Sequence, residues 1–261
     1  MRYRLYLDIG NTNTKIGIGD GEKLHASFAL PSDERRTADE FGLFLIALLR
    51  LQGLEAGDIE GGLACSVSPG IGKLARDACL RFLGKTLLFA PEDVPVPLEN
   101  RYALPHEVGA DRLVGAYAAR RLFPDVFSLI SVDYGTATTF DCVEGNAYLG
   151  GLICPGVLSS IAALTSRTAK LQGVSLEVES AVPAPGISTA TSLKHGFVFG
   201  FAAMTEGLCE RLAAGMRGPV AVVGTGGFAP VVARVTRRFD AVLPDMLLDG
   251  LRLLYKEGIT G

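Results

Sequence analysis

Apolar positions along the chain fall into two rhythms, one of period two and one of helical period, and the two alternate from end to end. Residues 3–7 and 15–19 alternate as strands, with a tight turn at Asn11-Thr12-Asn13 between them. Phe41, Phe44, Leu45, Leu48 and Leu49 recur at helical spacing over 39–51, and Gly53 marks the stop. Short strands are predicted at 62–67 and 86–90 around a helix at 72–82, and the four prolines of 91–105 predict an irregular stretch before a helix at 110–122. The second half restarts the pattern with strands at 127–133 and 139–143 joined by a turn at 135–138. Helices are predicted at 158–171 and 193–214, a strand at 220–223, a glycine turn with a helix beyond it, and a closing helix at 247–256. Strands alternating with helices predict an α/β protein.

The 261 residues are 48% hydrophobic and 20% charged, which suits one large or two modest globular domains. With a net charge of −3 and cations scattered among acids, no basic face is predicted, and nucleic-acid binding is not expected. Cys65, Cys79, Cys142, Cys154 and Cys209 form no CxxC and stand at no zinc spacing. They read as free thiols of a reducing compartment. The acid at Asp8 interrupts any signal-peptide core, and the uncharged run 145–166 carries glycines, a proline and serines, so it reads as strand, turn and helix. A soluble protein with no membrane partner is expected. His25, His106 and His195 stand apart and read as surface or core residues, and 33–36 as a solvated loop.

A repeat changes the picture. Leu7-Asp8-Ile9-Gly10-Asn11-Thr12-Asn13-Thr14 and Val132-Asp133-Tyr134-Gly135-Thr136-Ala137-Thr138-Thr139 share a strand, an Asp, a glycine and a Thr six residues after the Asp. They lie 125 residues apart, close to half the chain, which predicts a duplicated domain with a site between the copies. Glycine lets backbone N–H groups approach a phosphate, and an acid at a strand end suits hydrated Mg²⁺. A single such turn is ordinary hairpin chemistry; two copies and a third glycine turn favour a ligand. That third turn, Gly224-Thr225-Gly226-Gly227, formally fits a dinucleotide fingerprint. It lacks a complete βαβ unit, and Asp240 and Asp245 come too early for the expected acid. No Walker A sequence is present. Gly109-Ala110-Asp111-Arg112 opens a helix, where an acid could accept a hydroxyl proton while an arginine grips an anionic end. An ordinary helix-start acid beside a surface arginine fits the same positions.

Together with Gly150-Gly151-Leu152-Ile153-Cys154-Pro155-Gly156 and Thr225-Gly226-Gly227, these runs span almost the whole chain, which resembles the type III pantothenate kinases of the acetate and sugar kinase, heat-shock chaperone and actin superfamily. The resemblance implies two ribonuclease-H-like (actin-like) domains, 1–113 and 114–261, with an ATP cleft between them and pantothenate as the phosphoryl acceptor. It assigns Asp8, Ile9, Gly10, Asn11, Thr12, Asn13, Thr14, Lys15 and Thr136 to ATP, with Asp8 also meeting Mg²⁺ through water. It gives Asp133 a monovalent cation, K⁺ or NH₄⁺, and makes Asp111 the proton acceptor. Tyr102, Gly109, Ala110, Asp111, Arg112 and Thr189 are assigned to the pantothenate pocket. A cytoplasmic homodimer is implied. Gln172, Ile187-Ser188 and Asp249 depart from the family pattern. A non-enzymatic regulatory relative and a kinase of another small alcohol are the alternatives.

Overall fold

The computed structural model describes residues 2–165 and 176–259. Strands β1 (Tyr3–Ile9), β2 (Asn13–Gly19) and β3 (Leu24–Pro31) precede helix α1 (Ala38–Leu51). Then come β4 (Ile59–Ser66), α2 (Pro69–Leu83), β5 (Leu87–Phe89), β6 (Glu99–Asn100) and α3 (Ala110–Leu122). The second half runs β7 (Ser128–Tyr134), β8 (Ala137–Glu144), β9 (Ala147–Pro155), α4 (Val157–Thr165), α5 (Thr189–Ala213), β10 (Val220–Thr225), α6 (Ala229–Ala233), β11 (Ala241–Val242) and α7 (Met246–Ile259). The part of the predicted 158–171 helix beyond Thr165 lies outside the described residues, as does Gln172.

Two sheets result, and their order carries the duplication. The first runs β3-β2-β1-β4-β5; the second runs β11-β10-β7-β8-β9 with β6 added at the edge. In each, the first three strands of the half are antiparallel and the next two join in parallel. β1 therefore corresponds to β7, and Asp8 and Asp133 each occupy the sixth residue of a seven-residue strand.

By contacts the chain divides into two compact units: 1–98 with 104–121 and 245–261, and 99–103 with 122–244. Compactness thus differs from a cut after residue 113, because α3 and α7 pack on the first sheet. Strand periodicity sends alternate side chains to opposite faces. Leu5, Leu7, Ile9 and Ala64 meet α1 and α2 through Phe41, Leu45, Ile71 and Ala75. Tyr6, Leu63 and Cys65 meet α3 and α7 through Val114, Tyr117, Leu248 and Leu251. In the second unit Ile130, Val132, Phe140 and Val222 pack under α4, α5 and α6 with Val157, Phe201, Cys209 and Ala229. Helix α1 starts where its sequence signals it: Thr37 accepts from the Glu40 N–H, and the Glu40 carboxylate accepts from the Thr37 N–H.

Candidate active site

The first turn is held by its own backbone and by one residue that spacing did not point to. The Gly10 N–H donates to the Asn13 carbonyl at 3.1 Å. A Cβ on Gly10 would stand 3.0 Å from that same oxygen, a tight contact that glycine avoids. Asn11, Thr12 and Asn13 form the exposed tip, while Thr14 is buried at 1% exposure. Ser32, just past β3, reaches over this hairpin: its Oγ donates to the Gly10 carbonyl at 2.7 Å and lies 2.9 Å from Thr14 Oγ1. Its N–H also donates to the Thr12 carbonyl at 2.8 Å.

Asp8 is half-buried at the end of β1, opposite Lys15 on β2 and Cys65 on β4. Lys15 Nζ lies 3.5 Å from an Asp245 carboxylate oxygen, and Ser27 Oγ donates to the other at 2.8 Å. Cys65 Sγ lies 3.9 Å from Asp8 Oδ1. Burial, then the charges of Asp8 and Asp111, push this thiol well above its ordinary value, so it stays protonated and can donate to Asp8. The two acids from distant parts of the sequence therefore act on one buried sulfur.

Asp111 occupies the first turn of α3 and accepts from the Arg112 N–H at 2.8 Å. Burial raises its pKa above the ordinary carboxylate value, and the Arg112 N–H and guanidinium offset only part of that. A Cβ on Gly109 would meet Asp111 Oδ1 at 2.5 Å, so glycine is what lets the chain pass beside this carboxylate. Ala110 and Arg112 are buried.

In the second unit the Asp133 turn is flanked by two other glycine turns. Gly226 has φ 85°, and a Cβ there would lie 2.3 Å from Asp133 Oδ1 and 2.7 Å from the Tyr134 carbonyl. A Cβ on Gly156 would stand 2.1 Å from the Thr136 carbonyl, to which Ser159 Oγ donates at 2.7 Å. The turn thus meets Gly226 at Asp133 and Gly156 at the Thr136 carbonyl, while Gly135 and Thr136 remain exposed. Tyr102 also belongs to this unit: a Cβ on Gly150 would touch its ring at 3.1 Å, and its N–H donates to Asn100 Oδ1 at 3.0 Å. Thr189 is the exposed first residue of α5, outside the Asp133 cluster as drawn by these contacts.

Strand register corrects the repeat in one respect. Ile9 pairs with Thr14, whereas Tyr134 pairs with Thr138, so the first turn is one residue longer. Thr14 matches Thr138, not Thr139, and Lys15 faces Asp8 where Thr139 faces Asp133.

Two of the unusual positions have local explanations. Ser188 caps α5, accepting from the Thr191 N–H at 3.2 Å, a role that Asn also fills. Asp249 accepts from Arg252 Nε at 3.0 Å, and the buried Arg252 also donates to the Gly21 carbonyl at 3.2 Å. Among the described residues, no group of three His, Cys, Asp or Glu side chains is placed to hold a metal, and no helix is long and apolar enough to cross a membrane.

A family model described as type III pantothenate kinase matches residues 4–211. A type III pantothenate kinase of Nitratidesulfovibrio vulgaris strain Miyazaki F is 61% identical over 253 residues, covering 97% of each chain. One of Oleidesulfovibrio alaskensis strain G20 is 57% identical over 258 residues, covering 98% of each. Among solved structures, component A of the (R)-2-hydroxyglutaryl-CoA dehydratase of Acidaminococcus fermentans superposes with a TM-score of 0.58 at 16% identity, covering 98% of this chain and 97% of its own, a likeness of fold.

Proposed function

Since the chain belongs to the type III pantothenate kinase family, and so phosphorylates pantothenate with ATP in coenzyme A biosynthesis, we propose that Asp111 is its catalytic base and that the paired turns handle the phosphates. The supporting observation is the Asp111 carboxylate itself: half-buried, raised in proton affinity by burial, and acting with Asp8 on the Cys65 thiol. A base of raised pKa holds an alcohol proton better than a solvated carboxylate does. Asp111 takes the proton of the primary hydroxyl of pantothenate as that oxygen bonds to the γ-phosphorus, and ADP leaves with the bridging electrons. Gly109, Ala110 and Arg112, with Tyr102 and Thr189, hold the acceptor; Arg112 supplies a planar fork for its carboxylate.

Asp8, Ile9, Gly10, Asn11, Thr12, Asn13, Thr14 and Lys15 serve the nucleotide, with Thr136 contacting ATP. The exposed Asn11-Thr12-Asn13 tip and the cation of Lys15 suit phosphate. Phosphoryl transfer depends on positioning and charge stabilisation, which a pinned turn supplies. Asp8 offers the hard oxygen donor that Mg²⁺ takes while retaining waters; the ion, when bound, neutralises charge developing on the phosphates. The Asp133 carboxylate and the Tyr134 carbonyl, both facing the Gly226 backbone, suit a monovalent cation, K⁺ or NH₄⁺. The duplicated halves 1–113 and 114–261, a homodimer and a cytoplasmic location complete the proposal. The exposed Ile153, Leu158 and Leu164 of the second unit are compatible with a subunit contact.

The test is a coupled assay with pantothenate, ATP and Mg²⁺, with K⁺ or NH₄⁺ replacing Na⁺, on wild type and Asp111→Asn. Loss of about 10²–10⁴-fold in kcat with nucleotide still bound is expected. Unchanged turnover removes Asp111 from the base role. No response to K⁺ or NH₄⁺ removes the cation from Asp133, and light scattering decides the dimer.

A further inference from the structure

Ser32 lies outside every motif, yet it touches both limbs and the tip of the first turn. Its single hydroxyl proton is committed to the Gly10 carbonyl at 2.7 Å. The 2.9 Å contact with Thr14 must therefore run the other way, with Thr14 Oγ1 donating to Ser32 Oγ. The Ser32 N–H fixes the Thr12 carbonyl at 2.8 Å. Thr14 is 1% exposed, so its hydroxyl proton is spent inside the hairpin and not on a ligand.

The second half contains the same device in a shorter form. Thr138, the register equivalent of Thr14, is fully buried, and its Oγ1 donates to the carbonyl of Pro155 at 3.1 Å, where β9 ends. In both halves a buried threonine on the second strand ties the turn to the exit of the third strand. In the first half Ser32 is inserted into the link and extends it to Gly10.

We infer that Ser32 is a positioning residue for nucleotide binding, acting through Thr14 and Gly10, and that Thr14 braces the turn and does not touch phosphate. This inference rests on the reading that the Asp8–Lys15 turn serves ATP. With the Gly10 and Thr12 carbonyls drawn towards Ser32, the exposed tip is held in one arrangement before ATP arrives, and less ordering remains at binding.

The experiment measures binding of a non-hydrolysable ATP analogue with Mg²⁺ by titration calorimetry, together with KM for each substrate and the thermal midpoint. The full chain is used as wild type, Ser32→Ala, Ser32→Thr, Thr14→Val, the Ser32→Ala/Thr14→Val double variant and Thr12→Ala. Ser32→Ala is expected to weaken nucleotide binding by roughly three- to tenfold, the value of one or two lost hydrogen bonds. KM for pantothenate should hold, Ser32→Thr should restore affinity, and the double variant should lose less than the product of the two singles. If Ser32→Ala binds nucleotide as wild type does while Thr12→Ala is weakened, the brace is refuted and the phosphate turn stands. An equal loss for both substrates with a lowered midpoint makes Ser32 a general stability residue and also refutes it. If neither Ser32→Ala nor Thr12→Ala changes nucleotide binding, the phosphate reading of the turn falls and the brace falls with it.

Discussion

Asp111 carries a conflict between stability and activity that a titration can expose. Burial raises its pKa in the folded chain above the value it has when unfolded. Between those two values the folded state holds the proton more tightly, so stability falls as pH rises and stays lower beyond the folded pKa. Asn removes the ionisation. Asp111→Asn should therefore melt above wild type at pH 7, and the difference should vanish below the ordinary carboxylate pKa; thermal midpoints measured across pH 3–8 check this. On the proposed base role of Asp111, the same shift should carry the acid limb of kcat/KM above the usual carboxylate range, because a base acts only once ionised. Cys65 shifts in the same direction: burial and the charges of two acids keep its thiol protonated. With Cys79, Cys142 and Cys209 also buried and Cys154 half-buried, a thiol reagent on native protein should label Cys154 first, and Cys154→Ser should abolish that fast phase.

Among the elements, the three glycine turns of the second unit are not equally demanding, and neighbouring positions provide the control. Gly226 combines φ 85° with a virtual Cβ 2.3 Å from Asp133 Oδ1, whereas Gly227 has nothing within 4 Å. Gly226→Ala should cost at least about 1–2 kcal/mol in urea unfolding from the left-handed backbone alone, and, on the proposed cation role of Asp133, it should blunt the response of turnover to K⁺. Gly227→Ala should be near neutral in both. Much of this arrangement was legible beforehand: the strand-Asp-glycine repeat marked the two turns, and period-two and helical patterns found the central strands and most helices. Strand β3 escaped although Leu24, Ala26, Phe28 and Leu30 alternate with His25, Ser27, Ala29 and Pro31, a period-two signal that the sequence does carry. Strands β6 and β11 are two residues each and exist through their neighbours' ladders. The turn register escaped because one inserted residue leaves the Thr spacing intact while moving its pairing partner. Ser32 escaped because it meets the turn by way of a neighbouring strand, and no interval in the sequence encodes that contact.

At the scale of the molecule, the last helix decides whether the first site survives. Helix α7 comes from the end of the chain yet packs on the first sheet, where Leu247, Leu248, Leu251 and Leu254 cover Tyr6, Leu63 and Cys65. It also lies close to α3: a Cβ on Gly250 would stand 2.7 Å from the Ala118 Cβ and 3.0 Å from the Val114 carbonyl. The segment it opens with supplies Asp245, the partner of Lys15. Side chains under α7 thus share a core with Cys65, the sulfur on which Asp8 and Asp111 act. Leu251→Ala should cost about 2–5 kcal/mol, the usual range for emptying a buried leucine site. Because Cys65 sits in that core, nucleotide affinity should weaken under conditions where the variant is still folded. Chain termination after Pro244 removes the part of the cover that α7 supplies, along with Asp245, and leaves only α3. It should give a protein that exposes apolar surface, binds a hydrophobic dye and does not phosphorylate pantothenate. A truncated chain that kept wild-type turnover would show that the Asp8 and Asp111 neighbourhood holds its shape without α7.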